Sequence, residues 1–187
     1  MYLSRMERLV GRQELLAQLE QFFRDELYNQ GNEPDIHVPF LFGRLGAPQL
    51  TAPAVRSLAT GVVTHRYGGN DAYPQPFVGK AFDNQPRGYC PEMDEDDGAM
   101  SAWYVFASIG LYPVVVGEAT YELFPPLFSR ITLYPGGRQK PAVVIRVEGK
   151  ADGSRPLRRI TWNGRRLKEP RIAHSTLVRG GTLVFHY

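Results

Sequence analysis

The length and composition of the chain are those of a globular protein, and they argue against a membrane-spanning or disulfide-linked one. Its 187 residues suffice for one sizeable core or two small subdomains, and its 43% hydrophobic and 22% charged residues are ordinary for a globular protein. No window approaches 18 uninterrupted apolar residues and Cys90 is the only cysteine, so we expect neither a membrane-spanning helix nor an internal disulfide. The charged, amphipathic N-terminal stretch lacks the apolar centre of a signal peptide, so we expect no export signal in the chain.

The first part of the chain has helical periodicity. Apolar residues recur at three- and four-residue intervals over residues 9–23, and they predict a helix that ends near Asn29–Gly31. Proline at its start and glycine at its end predict a second helix over residues 34–46, and a third follows over residues 51–64. A fourth helix over residues 99–109 is apolar almost all round, so we expect it to be deeply buried.

The periodicity is lost between the third and fourth predicted helices. Residues 66–92 are rich in proline, glycine and aromatic side chains, which predicts a long loop. Loops of this length in a compact domain are usually functional or disordered.

After Gly117 the hydrophobic period changes to two, which indicates strands. Asn163-Gly164 between two such runs is a hairpin signal. The predicted strands are 121–123, 131–133, 143–147, 159–163 and 182–185. The pattern divides the chain into a helical part, residues 1–117, and a β part, residues 118–187, so it predicts the α+β class.

Polar side chains lie at the start of the second predicted helix, in Gly31-Asn32-Glu33-Pro34. A carboxylate at that place is stabilised by the free backbone N–H groups and by the helix dipole. Glu33 therefore fits either of two roles. One is a helix cap, and the other is a binding role in which Asn32 and Glu33 hydrogen-bond the hydroxyl groups of a ligand.

Four carboxylates, at residues 94–97, lie directly before the buried fourth helix. Crowded like charges raise the pKa of at least one of the carboxyl groups or call for a cation, and Ca²⁺ is the natural cation for so many oxygens. The EF-hand motif is excluded, because its first and last ligand positions hold no carboxylate when Gly98 is set at the sixth position. In an extended segment Asp94 and Asp96 point the same way, so one can act as base on a water that the other orients. A solvated acidic turn is the alternative.

The surplus positive charge lies late in the chain. The net charge is +3, and arginines crowd residues 155–179 between alternating apolar residues. Such a stripe is compatible with nucleic-acid binding, but its strand-like spacing favours a solvated face of the β part. We therefore expect no nucleic-acid partner.

Several segments follow one another in a recognisable order. Residues 31–35 read Gly-Asn-Glu-Pro-Asp, and residues 94–106 join the acidic run to Gly-Ala-Met-Ser-Ala-Trp-Tyr-Val-Phe. Residues 110–114 and 180–185 extend the series. Together these segments resemble glycoside hydrolase family 92. The resemblance runs from about Leu9 to the end of the chain, and its specific part is the acidic run joined to Ser-Ala-Trp-Tyr-Val-Phe.

The resemblance implies a calcium-dependent, inverting exo-α-mannosidase, similar to α-1,2-mannosidases, that removes terminal mannose from glycans. The family's general base falls on Asp96, with Asp94 as its close partner. Glu33 corresponds to the residue that recognises the sugar in the neighbouring subsite, beside Asn32, where many α-1,2-specific members have His. The implied Ca²⁺ contacts the hydroxyls of the sugar itself, and its protein ligands are left unassigned.

The resemblance also implies what the chain lacks. The family's general acid is a Glu in a Glu-Gly-Asn-Ala-Trp-type motif, which this sequence does not contain. The implied fold of residues 1–117 is an incomplete (α/α)6 helical toroid, followed by a C-terminal antiparallel β-sandwich-like region. We therefore expect the isolated chain to be inactive and to need the missing N-terminal part of the enzyme as its partner, with no membrane partner.

An alternative function and an expected location complete the sequence-based predictions. A non-catalytic calcium- or carbohydrate-binding module is the alternative function. Family members are typically secreted or periplasmic, although the chain carries no recognisable signal peptide.

Overall fold

The described part of the chain combines helices with three small sheets. The computed structural model describes residues 2–66, 76–93, 95–149 and 156–187. The chain divides into two compact units, Met1–Tyr104 and Val105–Tyr187. Helices and a two-stranded sheet make up the first unit and the second is mainly sheet, so the predicted α+β class is confirmed. The division after residue 117 stays a prediction.

Six α-helices lie in the described residues, together with three short 3-10 turns. The helices are α1 (Tyr2–Val10), α2 (Arg12–Arg24), α3 (Leu41–Arg44), α4 (Pro48–Thr60), α5 (Ala99–Ile109) and α6 (His174–Leu177). The 3-10 turns are Glu33–Asp35, Val38–Phe40 and Asp96–Gly98. Over the described ranges, no helix combines the length and the apolar character that crossing a membrane requires.

Ten strands form the sheets of the described residues. They are β1 (Val63–His65), β2 (Phe77–Gly79), β3 (Leu111–Tyr112), β4 (Thr120–Leu123), β5 (Arg130–Leu133), β6 (Val143–Glu148), β7 (Arg159–Trp162), β8 (Arg165–Arg166), β9 (Arg171–Ala173) and β10 (Gly181–His186). The strand orders are β1-β2, β3-β4-β9 and β5-β6-β10-β7-β8.

The first predicted helix is in fact two helices, and it ends earlier than expected. Gly11 separates α1 from α2 with a φ of 92°, a left-handed conformation that glycine adopts without steric cost. The α2 helix ends at Arg24 and not near Asn29–Gly31. The helical spacing of the apolar residues was predicted correctly, but hydrophobic periodicity does not reveal a single residue of left-handed backbone.

The second predicted helix is also broken up. Residues 34–46 form two 3-10 turns and the single turn of α3. Pro34 and Pro39 each follow the first residue of a 3-10 turn, and neither has a backbone N–H to donate. A continuous helix through both prolines would lose hydrogen bonds, so short turns replace it. The third predicted helix forms as α4, which ends at Thr60, and the chain then enters β1.

The first unit has a small core between α2 and the chain around α3. Leu15 and Leu19 of α2 are buried against Phe42 and Leu45. The ring of Phe23 extends this cluster, 5.4 Å from the ring of Phe42. This packing fixes α3, and with it the polar segment that precedes α3 in the chain.

The core of the second unit lies on one face of the five-stranded sheet. Val143, Ile145, Leu183 and Phe185 are fully buried there, at 0% exposure each. They occupy alternate positions on β6 and β10, as the period of two predicts. Most strand pairs are antiparallel, but β10 pairs with β6 in parallel, so the predicted antiparallel arrangement holds only in part.

Candidate functional site

Asn32 and Glu33 lie at the exposed start of a 3-10 turn that is anchored by buried polar residues. Asn29 and Gln30 are 2% and 1% exposed, whereas Asn32 and Glu33 are exposed. The Asn29 Oδ1 atom accepts a hydrogen bond of 3.3 Å from the backbone N–H of Gly31. The Asn32 side chain donates to the Asp35 carboxylate at 3.1 Å and makes no capping hydrogen bond to the backbone. The turn therefore presents the Glu33 carboxylate outward on an anchored backbone.

The acidic segment is a left-handed turn at the start of α5, so the extended backbone assumed for it from the sequence is wrong over residues 95–98. Asp96, Asp97 and Gly98 have φ values of 46°, 54° and 93°. Three consecutive residues in this region are unusual, since left-handed backbone is unfavourable for residues with a Cβ and costs about 1 kcal/mol or more. Both aspartates are exposed. The backbone thus holds two carboxylates outward at some expense of conformational energy.

Glu95 serves a structural purpose that the sequence reasoning did not assign to it. Its Oε1 atom accepts hydrogen bonds from the backbone N–H of Ser101, at 3.2 Å, and from the Ser101 hydroxyl. A carboxylate at the first turn of a helix satisfies a donor that has no partner within the helix. Glu95 therefore caps α5.

Trp103 connects the two candidate segments within the first unit. Its indole Nε1–H donates to the backbone carbonyl of Ile36 at 2.8 Å, directly after the turn that carries Glu33. The Trp103 ring is 1% exposed and stacks in parallel on Phe82, with ring centroids 5.5 Å apart. A Cβ added to Gly31 would lie 3.7 Å from the Cα of Met93, so the Glu33 turn also touches the chain that leads to the acidic segment.

Trp103→Phe is expected to loosen the Glu33 turn, because the substitution removes the indole donor but keeps an aromatic ring. A buried carbonyl without a partner costs about 1–3 kcal/mol. We expect the free energy of unfolding to fall by about that amount, and amide hydrogen exchange to accelerate over residues 31–37.

Trp162→Phe is the matched control for this change. Trp162 is the second of the two tryptophans, and its indole makes no hydrogen bond to any described residue. Exchange over residues 31–37 should be unchanged in this variant. Equal exchange in the Trp103→Phe variant and the unaltered chain would show that the indole donor does not hold the turn.

Comparison with known proteins decides the family. Residues 4–74 and 72–187 match the family model described as the glycosyl hydrolase family 92 catalytic domain. The chain belongs to glycosyl hydrolase family 92. The resemblance stated from the sequence is therefore confirmed over nearly the whole chain.

The family 92 relatives are much longer than this chain. An uncharacterized secreted glycosidase of Arthroderma benhamiae is 26% identical over 177 residues, which cover 94% of this chain and 20% of that protein. The solved family 92 hydrolase ccman5 is 26% identical with a TM-score of 0.83, and the match covers 94% of this chain and 25% of that one. This chain therefore spans about a fifth to a quarter of the length of these relatives.

Another solved relative is described by its reaction. The family 92 inverting mannosidase BT2199 of Bacteroides thetaiotaomicron is 30% identical with a TM-score of 0.61, covering 83% of this chain and 18% of that one. That description applies to the Bacteroides enzyme.

Calcium ligation is not accounted for by the described residues of this family 92 chain. Ca²⁺ takes about six to eight oxygen ligands. Within residues 2–66, 76–93, 95–149 and 156–187, no group of three or more His, Cys, Asp or Glu is arranged to hold a metal. Asp94 lies outside the described residues, as do residues 67–75 of the long loop predicted over residues 66–92. The described carboxylates therefore do not form a calcium cage by themselves.

A buried titratable cluster was not anticipated from the sequence. Burial lowers the pKa of His65, which is 2% exposed and interacts with Glu92. Burial and then the nearby Glu92 carboxylate raise the pKa of the Cys90 thiol. Both shifts favour the neutral side chains, so Cys90 is a poor nucleophile and a poor metal ligand here. His65 and Cys90 are distant in sequence, and no motif spacing links them.

Proposed function

We propose that this chain forms the general-base half of the active site of an inverting exo-α-mannosidase, which removes terminal mannose from glycans. The proposal rests on one structural feature, the left-handed turn that holds Asp96 exposed at the start of α5, the helix whose Trp103 donates a hydrogen bond to the Ile36 carbonyl directly after the Glu33 turn. Strained backbone that displays a carboxylate is a frequent property of catalytic sites. Family membership and the inverting mannosidase among the relatives support the reaction class.

In this proposal Asp96 is the base that activates the attacking water. Inverting glycosidases separate the base from the general acid by about 6.5–9.5 Å, which leaves room for that water on the face opposite the leaving group. Asp94 orients the water next to Asp96. The two aspartates are separated by one residue only, so they act at the same end of the site and neither is the acid. The acid comes from the part of the enzyme that lies outside this chain.

Glu33 and Asn32 bind the sugar in the subsite next to that of the terminal mannose. The Glu33 carboxylate accepts hydrogen bonds from sugar hydroxyls, and the anchored backbone of residues 29–31 holds it in place. Asn32 already donates to Asp35, so its amide oxygen is the atom offered to a ligand.

We include Ca²⁺ dependence in the proposal, with limits that the described residues impose. These residues supply no complete ligand set, so the ion would draw on the hydroxyls of the substrate and on carboxylates beyond the described part. A bound Ca²⁺ would supply electrostatic stabilisation at the sugar. The (α/α)6 toroid and the β-sandwich-like region likewise belong to the proposal for the complete enzyme.

The test compares this chain alone with the chain extended to the full length of its family. The extended enzyme is expected to hydrolyse an aryl α-mannoside, and proton NMR of the first-formed sugar should show β-mannose, the inverted product. A calcium chelator should abolish the activity, and added Ca²⁺ should restore it. The isolated chain should be inactive.

Two results would count against the proposal. Release of α-mannose first would exclude an inverting mechanism. Binding of Ca²⁺ and mannose without hydrolysis by the extended enzyme, measured calorimetrically, would favour the non-catalytic binding module instead.

A further inference from the structure

The face of the five-stranded sheet opposite the core carries an unusual arrangement of arginines. The register places Arg130 opposite Arg146, Arg146 opposite Val184, Val184 opposite Thr161 and Thr161 opposite Arg166. Residues in register point to the same face, so this is one row across all five strands. The neighbouring row runs Glu148, His186 and Arg159. We call the two rows together the arginine face.

Acidic partners on the arginine face are few. Glu148 contacts two residues of this face, with Oε1 at 3.2 Å from the Arg146 guanidinium and Oε2 at 3.2 Å from His186 Nδ1. Among the described residues, no carboxylate lies within ion-pair distance of Arg130, Arg159 or Arg166, and all three are exposed. The face therefore carries uncompensated positive charge.

The arrangement also contains a repulsive pair. Arg130 and Arg146 are directly opposite each other on antiparallel strands, and like charges in that geometry destabilise a sheet. Glu148 already pairs with Arg146, so an anion bound at this pair would chiefly neutralise Arg130. Each guanidinium can bind sulfate or phosphate oxygens through two parallel N–H donors.

The two ends of the row form separate anion sites. Arg130 and Arg146 make one site. Arg166, at the other end of the row, makes the second site together with Arg159 of the neighbouring row. Adjacent strands are about 4.8 Å apart, so the three steps from β6 to β8 separate the two sites by roughly 14 Å. Thr161 and Val184 fill the strip between them and are each 6% exposed. The partner must therefore carry several negative charges along its length.

We propose that the arginine face binds an acidic polysaccharide, one that carries sulfate or phosphate groups along the chain. The strand positions of this face hold no Phe, Tyr or Trp in the described β5, β6, β7, β8 and β10. Single-stranded nucleic acids usually require aromatic side chains on which bases stack. A flat sheet face also presents no helix or ribbon to a duplex groove. An extended anionic sugar polymer needs neither aromatic side chains for stacking nor a helix or ribbon that enters a groove.

This inference is independent of the proposed hydrolysis. The arginine face lies wholly in the second unit and includes neither Asp96 nor Glu33. Its function would be to retain the protein on an anionic glycan, whatever reaction the candidate site performs.

The test uses the full chain and measures binding to dextran sulfate, with neutral dextran as the reference matrix. The test variant is Arg130→Gln with Arg166→Gln, which removes one unpaired arginine from each end of the row. We expect retention of the unaltered chain on dextran sulfate at about 0.15 M salt. The variant should bind at least about tenfold more weakly, and the slope of log affinity against log salt should fall by about 2.

A matched control removes the same charge elsewhere. Arg5→Gln with Arg8→Gln changes two exposed arginines of α1 and leaves the sheet intact. This control should bind dextran sulfate like the unaltered chain. Equal weakening in both double variants would show attraction by net charge alone and would overturn the proposal. Absence of binding by the unaltered chain, or tighter binding to single-stranded DNA than to dextran sulfate, would overturn it too.

Discussion

Asp96→Asn in the full-length enzyme is expected to lower kcat by about 10²–10⁴ with little change in stability. Asparagine keeps the shape of the side chain and tolerates left-handed backbone, so the turn with φ of 46° should persist. The amide cannot accept the proton of the attacking water, and this loss affects the transition state. The measurements are steady-state hydrolysis of an aryl α-mannoside and circular dichroism of the same preparation.

Asp97→Asn supplies the control. Asp97 is the next residue, is also exposed and has a φ of 54°, so the substitution makes the same chemical change in the same kind of backbone. We expect this variant to keep most of its kcat. Comparable losses in both variants would indicate an effect of local charge and not a base at residue 96, and full activity of Asp96→Asn would refute the assignment.

Gly110→Ala is expected to reduce the free energy of unfolding by about 3–5 kcal/mol, which is among the largest effects of single substitutions. Gly110 has a φ of 78°, and a Cβ there would overlap the backbone carbonyl oxygen of Phe124 and lie 3.1 Å from the Pro126 nitrogen. The chain cannot shift easily, because the Phe124 N–H donates to the Gly110 carbonyl at 3.2 Å. Urea unfolding followed by tryptophan fluorescence measures the loss.

Gly117→Ala separates backbone strain from the steric overlap. Gly117 has a φ of 88°, but an added Cβ meets no atom within 4 Å. This variant retains the unfavourable left-handed conformation without the clash, so a loss of about 1 kcal/mol is expected. If the two alanine variants lose equal stability, close packing of Gly110 on Phe124 contributes nothing and the prediction is wrong.

The elements with uninterrupted periodicity could be predicted from the sequence. The α5 helix occupies residues 99–109 as expected, because an apolar run between Gly98 and Gly110 leaves few alternatives. The strands β5, β6 and β10 lie where alternation predicted them, since one face of β6 and of β10 is buried and one face of β5 is half-buried. In these elements the hydrophobic pattern and the backbone conformation agree.

Elements set by single residues or by distant contacts could not be predicted. A left-handed Gly11 divides the first helix, and hydrophobic periodicity is insensitive to one such residue. The parallel pairing of β10 with β6 depends on contacts between residues far apart in sequence. Strand order therefore required the structure.

The candidate site also has features that could be predicted from the sequence and features that could not. Glu33 and Asp96 could be selected from the sequence, because the motifs that carry them are local. Their connection through Trp103 and the Ile36 carbonyl was not foreseen, because the hydrogen bond spans 67 positions of the chain. The capping of α5 by Glu95 was also missed, since four adjacent acids gave no sign of which one faces Ser101.

The position of β10 constrains when the second unit can form. This strand comes last along the sequence of its sheet, yet it lies third in the order β5-β6-β10-β7-β8. During synthesis, β6 and β7 therefore each have one unpaired edge until residues 181–186 leave the ribosome. Open strand edges recruit other chains. The sheet consequently stays incomplete until residues 181–186 are made, and a nascent chain stalled before Gly181 is exposed to aggregation.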